Sequence, residues 1–119
     1  MKHILTVDDE APIRDILCQA LTGTGYRVSG AESVREAIDI IQQDRPDLII
    51  SDLQLEESDG FEFIEQIKQI APGLPIILLT GALLDPAVVR RLATEKIAYV
   101  EKTARLERIL SEVKRLLAA

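Results

Sequence analysis

Cysteine, histidine and aromatic residues are scarce in this sequence, and their scarcity excludes several kinds of site. Because Cys18 is the only thiol, no disulfide forms within the chain, and a tetrahedral zinc site of Cys and His ligands is excluded. No apolar run approaches the roughly 20 residues of a membrane-spanning helix, and the first residues do not resemble a signal peptide. We therefore expect a cytoplasmic protein that does not contact a membrane.

Positive charge is also in short supply. The chain carries 14 basic and 20 acidic residues, which gives a formal net charge of -6 at pH 7. Such a domain repels the phosphates of nucleic acid, so we expect no nucleic-acid partner. The length of 119 residues suits one compact domain, and we expect a single domain over residues 1–119.

Strand-like runs rich in Ile, Leu and Val alternate five times with longer segments of helical spacing. The predicted strands cover 3–7, 26–29, 47–51, 76–80 and 97–101. Strict alternation of this kind predicts an α/β fold, with a parallel sheet that is covered by helices on both faces. The nearly continuous apolar strands agree, because parallel strands are buried on both sides.

Helical spacing also predicts which side chains face the core. The apolar face of the first helix is predicted to contain Ile13, Ile16, Leu17, Ala20 and Leu21. A capping box, Ser33 to Glu36, opens the second helix. Phe61, Ile64 and Ile67 line the third, and the last helix carries a clean apolar stripe from Leu106 to Leu117.

Polar residues follow four of the five predicted strands. Asp8 and Asp9 follow the first strand, Asp52 the third, Thr80 ends the fourth and Lys102 follows the fifth. Taken singly, each has an ordinary explanation as a helix cap, a turn residue or a surface charge. The carboxyl ends of parallel strands lie along one edge of a sheet, where α/β proteins bind ligands. The shared edge therefore favours a functional site.

The acidic residues at this edge predict a metal ion. Two carboxylates roughly 5 Å apart repel each other by about 3 kcal/mol at an effective dielectric near 20, so three of them are costly without a cation. Oxygen ligands without sulfur or imidazole favour Mg²⁺, whose coordination is commonly completed by a phosphoryl oxygen. Lys102 and Thr80 would then neutralise and hydrogen-bond that group, and Asp52 is the best candidate nucleophile.

The whole chain resembles the receiver domain of two-component response regulators, and in particular the stand-alone chemotaxis type. The resemblance rests on four segments of the sequence, which are Val7-Asp8-Asp9-Glu10, Asp52 through Asp59-Gly60, Thr80-Gly81-Ala82, and Tyr99 through Lys102. It implies a flavodoxin-like (βα)5 fold, a doubly wound parallel sheet with strand order 2-1-3-4-5.

The resemblance also implies a role for each site residue. Asp52 would be the phosphoacceptor. Asp9 would bind Mg²⁺ directly, Asp8 would act mainly through water, and Gln54 would contribute its backbone carbonyl. The phosphoryl group would be held by Lys102, and the switch residues would be Thr80 and Tyr99.

The partners are implied in the same way. A sensor histidine kinase or a phosphotransfer protein would donate the phosphoryl group. A downstream protein target would then bind the face formed by the fourth helix, fifth strand and fifth helix. Such a domain is a switch and not an enzyme in the usual sense, because it catalyses only its own phosphorylation and dephosphorylation.

Two other functions remain open at this point. One is a phosphatase with an aspartate nucleophile, although Gln54 occupies the position where such enzymes carry a second aspartate. The other is a degenerate receiver that binds partners without phosphorylation. Thr103, which stands where a proline usually follows the lysine, keeps that second alternative open.

Overall fold

A computed structural model of the chain describes residues 1–52, 60–81, 86–94, 97–101 and 106–118. The strands are β1 (His3–Val7), β2 (Arg27–Ala31), β3 (Leu48–Asp52), β4 (Ile76–Thr80) and β5 (Ala98–Glu101). The helices are α1 (Ala11–Gly23), α2 (Val34–Gln43), α3 (Gly60–Ile70), α4 (Pro86–Thr94) and α5 (Leu106–Leu117). Helices and strands alternate along the chain as the sequence predicts.

All five strands form one parallel sheet in the order β2-β1-β3-β4-β5, which confirms the predicted topology. In register, Val7 at the end of β1 pairs with Ala31 on one side and with Ser51 on the other. Because all strands run in the same direction, their last residues meet at one edge, which we call the carboxyl edge. The opposite edge, where the strands begin, is the amino edge.

Two apolar layers cover the sheet, and alternate residues of each strand point into each layer. Leu5, Ile49 and Leu78 pack with residues of α2, α3 and α4. Ile4, Ile50 and Ile77 pack on the other face with residues of α1 and α5. None of the helices in the described ranges combines the length and apolarity that crossing a bilayer demands.

The N-terminus of α2 forms as the sequence predicts. Ser33 is the N-cap, and its hydroxyl accepts a hydrogen bond from the backbone N–H of Glu36 at 3.2 Å. The Glu36 carboxylate reaches back to the backbone N–H of Glu32 at 3.5 Å, one residue earlier than in an ideal capping box. The cap fixes where α2 leaves β2, and so helps to seat Val34 and Ala37 in the core.

Two predictions about buried side chains need correction. Ile16 was expected on the buried face of α1, but 57% of its surface is exposed. Successive residues of a helix are 100° apart, so Ile16 lies well to one side of the stripe that Leu17 and Leu21 define. Phe63 is fully buried although the predicted stripe of α3 omitted it, while the side chain of Phe61 lies outside the described part of the structure.

Strand boundaries also differ slightly from the prediction. β2 runs from Arg27 to Ala31, one residue later at its start and two later at its end than the predicted strand. It is an edge strand whose first residue is exposed, so its apolar pattern is weak. The extension matters for the site, because Ala31 pairs with the last residue of β1.

Candidate metal centre

Three carboxylates meet at the carboxyl edge, and each is placed there by the sheet. Asp8 and Asp9 directly follow β1, and Asp52 ends the neighbouring strand β3. Val7 pairs with Ser51. The residues that follow these two in the chain, Asp8 and Asp52, are therefore neighbours. One carboxylate oxygen of each of the three aspartates lies within 4.8 Å of the others. The predicted acidic cluster is therefore brought together.

The three aspartates differ in exposure. Asp8 and Asp52 are 1% and 4% exposed, whereas Asp9 is exposed to solvent. The cluster is thus a notch with two buried walls and one open side, through which a hydrated ion has access.

Hydrogen bonds hold the link between β1 and α1 at this edge. The backbone N–H of Asp8 donates to the carbonyl of Ala31 at 3.1 Å, which continues the pairing of β1 with β2 by one residue. The Asp8 carboxylate accepts a hydrogen bond from the backbone N–H of Glu10 at 2.8 Å. From α1, the Arg14 guanidinium donates to the Asp8 carbonyl at 2.6 Å. Asp8 is therefore held by its amide, its carbonyl and its side chain.

The donor set fits a hard divalent cation. All three side chains offer carboxylate oxygens, and these lie within 4.8 Å of one another. The buried pair, Asp8 and Asp52, repels by about 3 kcal/mol or more at an effective dielectric near 20. An ion with two positive charges offsets that repulsion. Mg²⁺ suits such a site because it accepts a few carboxylates and keeps several waters.

The other predicted site residues fall partly within the described structure. Thr80 ends β4, the strand next to β3, and is 3% exposed at the same edge as Asp52. Tyr99 lies in β5 with 38% of its surface exposed, beside an open surface groove of about 290 Å³ between α4 and α5. Gln54 and Lys102, and Thr103 with them, lie outside the described residues.

Two residues beside the cluster were not predicted from the sequence. Arg14 contacts the Asp8 carbonyl, and Gly30 of β2 lies against the Arg14 side chain. An arginine in a helix and a glycine in an edge strand carry no recognisable motif. Only the fold, which packs α1 across β2, places them beside the acidic cluster.

Comparisons with known proteins point to one family. The profile of the response regulator receiver domain matches residues 4–114. The response regulator MprA of Mycolicibacterium vanbaalenii is 35% identical over 115 residues, which is 97% of this chain and 50% of MprA. The transcriptional regulatory protein GlrR of Escherichia coli is 40% identical over 79 residues, which is 66% of this chain and 18% of GlrR. The chain thus spans half or less of these curated relatives.

Solved structures agree with the sequence relatives. The chemotaxis response regulator CheY4 of Vibrio cholerae superposes with a TM-score of 0.87 at 30% identity, covering 98% of this chain and 99% of that one. A two-component response regulator from Clostridium difficile has a TM-score of 0.90 at 25% identity and covers 99% and 97%. In both comparisons, almost the whole of each chain is covered.

Proposed function

The chain belongs to the response regulator receiver domain family, and from that premise we propose that Asp52 accepts a phosphoryl group in a Mg²⁺-dependent reaction. One observation carries the proposal: carboxylate oxygens of Asp8, Asp9 and Asp52 lie within 4.8 Å of one another at the carboxyl edge. The nearby pair would bind the ion and leave an oxygen of Asp52 for attack on phosphorus. An aspartyl phosphate forms as the bond between phosphorus and the donor's leaving group breaks.

The ion would be held by Asp9 directly, by Asp8 mainly through water, by Asp52 and by the backbone carbonyl of Gln54. When bound, Mg²⁺ neutralises the negative charge that gathers as phosphoryl oxygens approach the carboxylates. Asp8 and Asp52 are nearly excluded from solvent, which strengthens their attraction for a cation. The open side at Asp9 gives the phosphodonor access.

Two further residues would act on the phosphoryl group. Lys102 would pair with its oxygens, and Thr80, buried at the end of β4, would donate a hydrogen bond to it. Tyr99 would respond by turning inward from its half-exposed position in β5. The signal would then reach partners through the face of α4, β5 and α5.

The cellular role follows from the same proposal. A sensor histidine kinase or a phosphotransfer protein would supply the phosphoryl group in the cytoplasm, and a downstream protein would bind the switched face. Residues 1–119 would act as a single domain, without a membrane or nucleic-acid contact of its own. Its chemistry would be limited to its own phosphorylation and dephosphorylation.

Intact mass spectrometry tests the proposal after incubation with acetyl phosphate and Mg²⁺. We expect one added phosphoryl group, which is lost when Mg²⁺ is chelated and is absent in Asp52→Asn. Asp39→Asn, which removes an exposed carboxylate from α2, is the matched control and is expected to be modified like the wild type.

Other results would contradict phosphorylation at Asp52. Unmodified wild-type protein would favour a degenerate receiver that binds partners in one state. Steady release of phosphate from many phosphomonoesters would favour an aspartate phosphatase. Phosphorylation that persists in Asp52→Asn would place the acceptor elsewhere.

A further inference from the structure

Arg14 reaches from the first turns of α1 back to the acidic cluster. Its guanidinium Nη1 donates a hydrogen bond to the backbone carbonyl of Asp8 at 2.6 Å. The side chain is half-buried, and within the described ranges it forms no ion pair with a carboxylate. A hydrogen bond from a charged guanidinium is stronger than one from a neutral donor, and partial burial strengthens it further. The bond from Arg14 therefore holds the Asp8 carbonyl more firmly than a neutral donor would.

Gly30 in β2 makes room for this arrangement. A Cβ atom at position 30 would lie 3.2 Å from Cδ and 3.4 Å from Cγ of Arg14. The backbone of Gly30 does not adopt a positive φ, so its conformation does not call for glycine. Because a Cβ atom here would press on the Arg14 side chain, glycine gives that side chain the most room where it passes the strand on its way to Asp8.

We propose that Arg14 is a positioning residue for the metal site and that Gly30 provides the space that the Arg14 side chain needs to reach Asp8. The inference rests on the proposed Mg²⁺-binding function. The amide of Asp8 is bonded to Ala31 and its carboxylate to Glu10, and the Arg14 contact restrains its carbonyl as well. Together the three restraints hold the Asp8 carboxylate toward Asp52 and aim the following residue, Asp9, at the ion.

Charge and position predict opposite effects of removing Arg14. A guanidinium beside the cluster repels a cation, so if only its charge mattered, Arg14→Ala would tighten Mg²⁺ binding. If it positions Asp8, the same change lets the β1–α1 link move, and binding weakens. The sign of the change in Mg²⁺ affinity therefore separates the two roles.

Calorimetric titration of the full chain with MgCl₂, in the absence of any phosphodonor, provides the test. We expect Arg14→Ala to weaken Mg²⁺ binding by roughly tenfold, the low end of the range for residues that support metal ligands. Arg45→Ala is the matched control, because Arg45 also donates to a main-chain carbonyl, that of Pro72 at 3.3 Å, but at the amino edge. It is expected to bind Mg²⁺ like the wild type.

A second variant, at Gly30, tests the same contact between Arg14 and β2. Gly30→Val puts methyl groups where the Arg14 methylenes lie, and we expect it to weaken Mg²⁺ binding as well. Combined with Arg14→Ala, it is expected to add no further loss, because the side chain that it displaces is already gone. Should Arg14→Ala fail to fold, Gly30→Val and its comparison with the wild type still provide the test.

The outcomes are distinguishable from failure of the proposed function. Wild-type protein that does not bind Mg²⁺ overturns both proposals. Wild-type binding with equal or tighter binding by Arg14→Ala overturns only the positioning role. Fully additive losses in the double variant would show that Gly30 acts independently of Arg14, and would overturn the paired assignment.

Discussion

At the scale of single residues, His3 is a buried titratable group far from the carboxylates. It begins β1 at the amino edge, is 2% exposed, and its Nε2 lies 2.7 Å from the Ser29 hydroxyl. Its backbone N–H donates to the Asp47 carboxylate at 2.8 Å. Burial lowers the pKa of His3 below its ordinary value of 6.5, and the positive charge of Arg27 lowers it further, against the opposing effect of Asp44.

This shift predicts a loss of stability in mild acid. The unfolded chain takes up a proton on His3 near pH 6.5, but the folded chain does so only at a lower pH. Between those values the unfolded state binds more protons, so the free energy of unfolding decreases as the pH is lowered, by at most about 1.4 kcal/mol per pH unit. We expect the free energy of unfolding, measured with urea at several values between pH 5 and 7.5, to change less steeply with pH in His3→Gln than in the wild type. Equal slopes would contradict the prediction.

The same scale shows which site residues a sequence can reveal. Asp8, Asp9 and Asp52 were predictable because each follows a strongly apolar strand, and strand ends share an edge. Arg14 was not predictable, since a hydrogen bond from a helix side chain to a carbonyl six residues earlier leaves no pattern. Gly30 was not predictable either, because what distinguishes it is its contact with Arg14, which is distant in sequence, and not its own backbone conformation.

At the scale of elements, α1 offers a direct test of the corrected helix face. Leu17 is 3% exposed and packs with residues of β1, β3 and α5, whereas Ile16 is 57% exposed. We expect Leu17→Ala to lower the free energy of unfolding by about 2–5 kcal/mol, because it leaves a cavity in the core. Ile16→Ala, the matched control one residue away, is expected to change it by less than about 0.5 kcal/mol. Similar losses in the two variants, measured by urea unfolding, would contradict this orientation of α1.

Elements were predicted best where burial is uniform. β1 and β4 are buried along their full length and match the predicted strands residue for residue. The edge strand β2 is exposed at one end and contains serine and glycine. Its first and last residues are therefore determined by pairing with β1, and not by its own composition. In α1, apolar residues at neighbouring positions left the width of the stripe ambiguous, and packing against the sheet resolved it.

At the scale of the whole molecule, the alternation of strands and helices predicted a parallel sheet covered on both faces, whereas the strand order was implied by the family resemblance. Five alternations of strand and helix, with right-handed crossovers, leave few ways to build a parallel sheet. The order β2-β1-β3-β4-β5 places β1 beside β3, and that adjacency brings distant aspartates together. The acidic cluster is therefore a consequence of the fold, although Gln54 and Lys102 lie outside the described residues.

Three carboxylates of this acidic molecule share one notch, so we expect stability to depend on a divalent ion that binds there. The net charge is -6, and three carboxylates share the carboxyl edge. At a free Mg²⁺ concentration of 100 times Kd, binding stabilises the folded state by about 2.7 kcal/mol, which for a chain of this size raises Tm by on the order of 10 °C. Thermal unfolding with MgCl₂, compared with NaCl at equal ionic strength, measures the increase.

Asp9→Asn separates specific binding from general screening, because Asp9 is exposed and its loss removes one charge with little change in packing. Without Mg²⁺ we expect this variant to be more stable than the wild type by about 2 kcal/mol, because Asp9 is exposed and each of its two repulsions, with Asp8 and with Asp52, is about 1 kcal/mol in water. With Mg²⁺ it is expected to gain little, while Asp39→Asn keeps the full increase. An equal increase for all three proteins would mean that Mg²⁺ acts by screening the net charge, and the cluster would then hold no specific ion.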